Sequence, residues 1–103
     1  MSAELRQLLW FLIAGTRGGP NRARIIETLR ERPCNAHQLS EILGLDYRTI
    51  RHHLDLLERN GLLKQPAGRE YAAPYFLTPY LEGNYRIFEE VRRRMPRAPG
   101  EHT

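Results

Sequence analysis

Between Tyr47 and Arg59 the residues Ile50, Leu54 and Leu57 recur at helical spacing, which turns Arg48, Arg51, His52, Asp55 and Arg59 to the opposite side of a single helix. Arginine presents a planar fork of N–H donors that matches the acceptor edge of guanine or a phosphate, and histidine can donate to either. A face of this kind that begins at a helix N-terminus suits the major groove of duplex DNA. Arg51 is the first candidate for a base contact, with Arg48 and His52 beside it. Tyr47 and Thr49 can reach a phosphate or a thymine methyl, or equally cap or pack against the helix start. Asp55 lies four residues after Arg51 and four before Arg59, so it either orients those side chains or accepts from a cytosine amino group. The competing reading is a merely solvated helix face.

Other chemistries find little support. No Ser-His-Asp set, Cys-His pair or glycine-rich phosphate loop is legible, so the sequence does not describe an enzyme. The four histidines, His37, His52, His53 and His102, have simpler roles. His53 precedes Leu54 near the inner face and is expected to be a structural histidine bonded to a neighbour. The single cysteine, Cys34, excludes an internal disulfide and a cysteine-rich zinc site, and suits a reducing, cytoplasmic location. Cys34 and His37 would supply two metal ligands where zinc takes about four. No metal and no cofactor are expected, and the signal that would control the protein is not readable.

The elements that must position the basic face can be read outward from it. The chain of 103 residues holds one small domain, with a formal net charge of +4 that favours a polyanionic partner. Lys64 is the only lysine, and every other one of its sixteen basic residues is arginine, a bias that codon usage explains equally well. The segment from Asn35 to Gly44 reads as a helix capped by Asn35, burying Leu39, Ile42 and Leu43 and stopping at glycine; Asp46 then caps the basic helix. Two short helices joined by a glycine turn form a helix-turn-helix. Upstream, Ala3 to Ala14 reads as a first helix, and Pro20-Asn21 opens a second whose Ile25, Ile26 and Leu29 face inward until Arg32-Pro33.

Downstream, Leu62 to Gln65 and Tyr71 to Leu77 flank Pro66-Ala67-Gly68-Arg69-Glu70, the composition of a hairpin, with Tyr75-Phe76-Leu77 as its firm strand because Pro74 interrupts pairing. Thr78-Pro79 launches a last helix to about Arg94 with Leu81, Tyr85, Phe88, Val91 and Met95 on one stripe. The fold expected is mainly α with a small β-hairpin wing: a winged helix-turn-helix over residues 1–95 and a disordered tail over 96–103. Lys64 and Arg69 on the wing would meet phosphate or the minor groove. Arg22, at a helix N-terminus, is a candidate phosphate contact, and Arg24 is expected in an intraprotein ion pair. The run from Leu8 to Ala14 is well short of the roughly 18 residues of a membrane span, and Glu4 stands where a signal peptide would carry a basic start.

The order of elements resembles the winged-helix repressors of the ArsR (arsenic-repressor) family. Pro20-Asn21-Arg22-Ala23-Arg24-Ile25-Ile26 is similar to the family's proline-x-arginine-x-arginine-isoleucine opening. Leu39-Ser40-Glu41-Ile42-Leu43-Gly44-Leu45, Thr49-Ile50-Arg51-His52-His53-Leu54, Leu57 and Gly61-Leu62-Leu63 resemble its recognition unit without a gap, and Tyr75-Phe76-Leu77-Thr78 its closing wing strand. Metal-sensing members carry paired cysteines just ahead of the helix-turn-helix, where this sequence has Asn35 and His37. The last helix holds Glu82, Glu89 and Glu90 but no histidine for the zinc site some members place there.

The terminal helices carry more apolar surface than a three-helix core with a wing can cover. The resemblance implies that they form a homodimer, with Leu5, Leu9, Trp10, Leu12, Tyr85, Phe88 and Val91 at the interface. The expected function is then a homodimeric, sequence-specific double-stranded DNA-binding transcription regulator, a repressor reading an inverted repeat. The alternatives are a winged-helix protein-interaction module, for which Asp55 and Glu58 are the local support, and a sequence-tolerant chromatin-like binder.

Overall fold

The computed structural model describes residues 2–66 and 72–95. Helix α1, Ser2–Leu9, runs on into a π-helical segment, Trp10–Ala14, closed by the Gly15 N–H donating to the Trp10 carbonyl at 2.8 Å. The single α-helix expected from Ala3 to Ala14 is therefore present with a widened last turn. Helix α2, Gly19–Glu31, has Pro20 in its first turn, where the missing N–H costs no hydrogen bond, and ends as Arg32 turns extended ahead of Pro33.

Helix α3, Ala36–Leu43, begins with a reciprocal cap in which the Asn35 side chain accepts from the Gln38 N–H and the Gln38 side chain accepts from the Asn35 N–H, both at 2.8 Å. It ends at Gly44, whose φ of 68° is the left-handed conformation only glycine adopts without strain. Helix α4, Tyr47–Arg59, starts from Asp46, whose carboxylate accepts from the Arg48 and Thr49 N–H groups.

After α4 the chain turns through Gly61, at a φ of 75°, into strand β1, Leu63–Lys64, which pairs antiparallel with β2, Phe76–Leu77, in the register Leu63 to Leu77 and Lys64 to Phe76. Tyr75 does not extend this ladder as expected. Its N–H donates to the Cys34 carbonyl at 2.8 Å, so the wing root is pinned to the segment ahead of α3. Pro74, without an N–H, marks the point where the hairpin pairing has to stop. The expected turn tip, including Arg69, lies outside the described residues except for Pro66, as does the expected tail over 96–103.

The single last helix is instead two: α5, Pro79–Glu82, and α6, Tyr85–Arg94. Gly83 and Asn84 separate them. Both residues are poor helix formers, and the Asn84 side chain donates to the Tyr80 carbonyl at 2.8 Å, closing α5 instead of prolonging it.

The core joins Leu5, Leu9, Leu12 and Ile13 to Ile25, Ile26 and Leu29 of α2, Leu39 of α3, Ile50, Leu54 and Leu57 of α4, and Leu81, Phe88 and Val91 of the last two helices. Each such side chain contributes roughly 1.5–3 kcal/mol relative to remaining exposed. This packing corrects the expected dimer face. Leu5, Leu9, Leu12, Phe88 and Val91 are buried within the single chain because α1 and α6 cover one another, and Tyr85 is half-buried beneath the Arg30 guanidinium at 3.9 Å. Trp10 keeps 48% of its surface exposed, and its neighbour Phe11 keeps 65%. Ile42, expected inside, stands outward on α3.

Candidate nucleic-acid interface

Helix α3, the turn at Gly44 and helix α4 set the basic side chains on a common outer face. Arg48, Thr49, His52 and Arg59 are exposed, while Tyr47 and Arg51 are half-buried at its edge. The Tyr47 ring stacks on His37 with centroids 4.4 Å apart, which fixes the start of α4 against the start of α3. Arg51, His52, Asp55, Glu58 and Arg59 line a groove of about 600 Å³ that holds both acidic and basic groups.

Arg51 is held from two sides. Its Nη1 donates to the Tyr75 hydroxyl at 3.1 Å, and its Nη2 lies 3.6 Å from an Asp55 carboxylate oxygen, so Asp55 orients Arg51 through its side chain. Arg59 meets Asp55 only through the backbone, donating to its carbonyl at 3.4 Å. Tyr75 is buried, and burial raises the pKa of its phenol, which therefore stays protonated as a fixed neutral acceptor for Arg51. Sequence reading missed this role of Tyr75, since the partner is 24 residues away on the other side of the wing hairpin. Lys64 stands exposed on β1 beside this face.

Arg22 is not a phosphate contact. Only 4% of its surface is exposed, and its guanidinium points inward. Nε donates to the Leu12 carbonyl at 2.8 Å, Nη2 to the Thr16 hydroxyl at 2.5 Å and Nη1 to His53 Nδ1 at 3.1 Å. The physical reason is the carbonyl end of the first helix, where the negative end of the helix dipole and the Leu12 oxygen draw the guanidinium inward. Arg24 donates to the Asn21 side chain and the Leu43 carbonyl, each at 3.4 Å, and among the described residues it is not paired with an acid as expected.

Because arginine only donates, His53 must accept at Nδ1, which puts the proton of its neutral ring on Nε2. His53 is the structural histidine expected from its place beside Leu54. Burial first, then the charges of Arg22 and His52, push its pKa down to about 4. In an unfolded chain the ring titrates near 6.5. Between those values the unfolded state binds a proton the folded state refuses, so stability is lost as pH falls through this window. The span is worth about 3 kcal/mol. Urea unfolding of the protein and of His53→Gln should give a stability difference that changes steadily between pH 7 and pH 4; parallel pH profiles would show that His53 is not the group responsible.

At the positions where the resemblance places metal-binding thiols, the Asn35 side chain caps α3 and His37 stacks on Tyr47. Cys34 is buried, with its sulfur 3.6 Å from the Arg32 carbonyl. Among the described residues no group of three or more His, Cys, Asp or Glu could hold a metal ion. No described helix is long and apolar enough to cross a membrane.

A capped helix pair joined by a left-handed glycine turn, followed by a two-stranded hairpin, defines a winged helix-turn-helix. Residues 19–65 match the family model for the bacterial regulatory protein, arsR family. The matched stretch runs from α2 to β1, and the model it matches is the domain of a DNA-binding transcriptional regulator. No curated protein matches the chain.

Proposed function

We propose that the protein acts as a homodimer that reads an inverted repeat in duplex DNA and represses transcription by occupying the promoter. The observation that supports this most directly is the outward face of α4, where Arg48, Thr49 and His52 begin at a capped N-terminus and are open to a ligand. In this reading these residues and Arg51 approach base edges, Tyr47 and Lys64 contact the phosphate backbone, and Asp46 holds the helix start in place.

The dimer would form through the terminal helices, where a cleft of about 590 Å³ is lined by Trp10, Phe11 and Val91 with Arg6, Glu90 and Arg94 at its edge. Two adjacent exposed aromatic side chains beside such a cleft are the kind of apolar patch that marks an interface. Arg6 and Glu90 form an ion pair there, so the cleft's polar edge is partly neutralised before a partner arrives.

Selection from random duplexes of about 30 base pairs tests the reading. An enriched inverted repeat with half-sites about 34 Å apart is expected. Retention without a motif would indicate a sequence-tolerant binder, and no retention would leave the protein-interaction role. On the enriched duplex, Tyr75→Phe removes the acceptor that steadies Arg51 and should weaken binding roughly fivefold, about 1 kcal/mol. Random duplex should be bound almost unchanged, and equal losses on both would argue that Arg51 contacts only the backbone.

A further inference from the structure

Arg22 gathers acceptors from three separate segments: the π-helical turn through the Leu12 carbonyl, the linker through Thr16, and α4 through His53. The guanidinium itself belongs to α2. It is buried, and these three contacts are made to neutral groups. The apolar packing of Ile50, Leu54 and Leu57 sets which side of α4 faces inward, and charge-assisted hydrogen bonds from a buried cation, strong and directional, narrow its rotation about the helix axis further. His53 is the inward neighbour of His52, so its tether to Arg22 fixes how the outward face of α4 is turned.

The surroundings leave this link no slack. A Cβ added at Gly18 would stand 2.7 Å from Arg22 Nη1 and 2.9 Å from His53 Cε1, and one added at Gly19 would stand 1.5 Å from the Ile13 carbonyl oxygen. The start of α2 is thus pressed against the π-helical turn and against the network at once. A close-packed contact transmits displacement instead of absorbing it. The same turn carries Trp10 and Phe11, the two exposed aromatic side chains of the terminal face.

Building on the reading of α4 as the DNA-contacting helix, we propose that Arg22 is a positioning residue for DNA recognition, orienting α4 through His53 and coupling it to the Trp10–Phe11 face. Neither residue touches DNA. Covering or rearranging the aromatic face shifts the Leu12 carbonyl, and the fork of Arg22 carries that shift to His53. By reciprocity, DNA binding at α4 alters the surroundings of Trp10.

Trp10 is the only tryptophan of the sequence, so its emission reports on that face directly. The test compares the full-length protein with His53→Leu and His53→Gln, measuring affinity for the enriched duplex, affinity for random duplex, and the change in Trp10 emission when the enriched duplex is added. In the unaltered protein the emission is expected to change. In His53→Leu the ratio of specific to random affinity is expected to fall about tenfold and the emission change to vanish. In His53→Gln, which keeps an acceptor for Arg22, both are expected to recover. A variant that loses thermal stability but keeps the affinity ratio and the emission change would make the network purely structural and overturn the proposal. So would equal behaviour of the Leu and Gln variants. Should His53→Leu fail to fold, Thr16→Val removes one acceptor at a half-buried position and is held to the same readouts. Failure of the unaltered protein to enrich any duplex would instead remove the DNA-recognition reading on which the proposal rests.

Discussion

Gly19→Ala should destabilise the fold severely, whereas Gly44→Ala should be tolerated. At position 19 the new methyl carbon would lie 1.5 Å from the Ile13 carbonyl oxygen and 2.5 Å from its carbonyl carbon. Those are backbone atoms of the π-helical segment and cannot rotate aside. Helix α2 and that segment must separate, which loosens the packing of Ile13 and the cap that Arg22 provides to Leu12. Overpacking of this severity costs about 3 kcal/mol or more, a large share of the 5–15 kcal/mol that holds a typical domain together. At Gly44 an added carbon meets nothing within 4 Å, and the penalty is only that of a left-handed φ of 68°, about 1 kcal/mol. Urea unfolding followed by helical circular dichroism separates the two. Similar midpoints for both variants would mean that the start of α2 can move away from Ile13 without cost.

Specific DNA binding should weaken about a thousandfold between 50 and 200 mM salt. A dimer that neutralises roughly six phosphates releases the corresponding counterions, giving a slope of log K against log salt near −5. In the proposed reading Lys64 supplies one such phosphate contact per protomer, and the cationic side chains of Arg48 and Arg51 in the adjoining groove add to the counterion release. Arg22 is excluded by its burial, so Arg22 variants should leave the slope unchanged while Lys64→Ala should reduce its magnitude by about 1–2. Binding titrations at four or more salt concentrations measure the slope directly. A value near zero would mean that the outward face of α4 does not meet a phosphate backbone.

The helix-turn-helix was legible because its determinants are local. Asn35, Gln38, Gly44 and Asp46 are capping and stop residues whose partners lie within a few positions, and the apolar spacing in α4 is regular. The division of the last helix was also written locally, in Gly83 and Asn84, but the longer apolar stripe from Leu81 to Met95 masked it. Arg22 shows a different limit. It falls three, four and seven residues before Ile25, Ile26 and Leu29, hence on the inner stripe of α2, and His53 lies three residues after Ile50 and four before Leu57, on the inner stripe of α4. Their inward positions were readable; that each justifies the other's burial was not, because the hydrogen bond spans 31 residues. Thr16 carried no signal at all. The overestimated dimer face had a similar origin: the burial of Leu5, Leu9 and Phe88 depends on α1 meeting α6, a contact between distant parts of the chain that helical periodicity does not encode.

The cap at Asn35 bears on how sensing could be gained or lost along an evolutionary path. The resemblance places one thiol of the family's metal-sensing pair at this position and the other at His37. Here both side chains already have structural occupations, one closing the N-terminus of α3 and the other packing on Tyr47. Asn35→Cys would remove the cap, at a cost of about 1 kcal/mol, before any metal could repay it. A single thiol would therefore carry this cost without a second ligand beside it, and metal control at this place would need both thiols, each displacing a side chain that already has a structural partner.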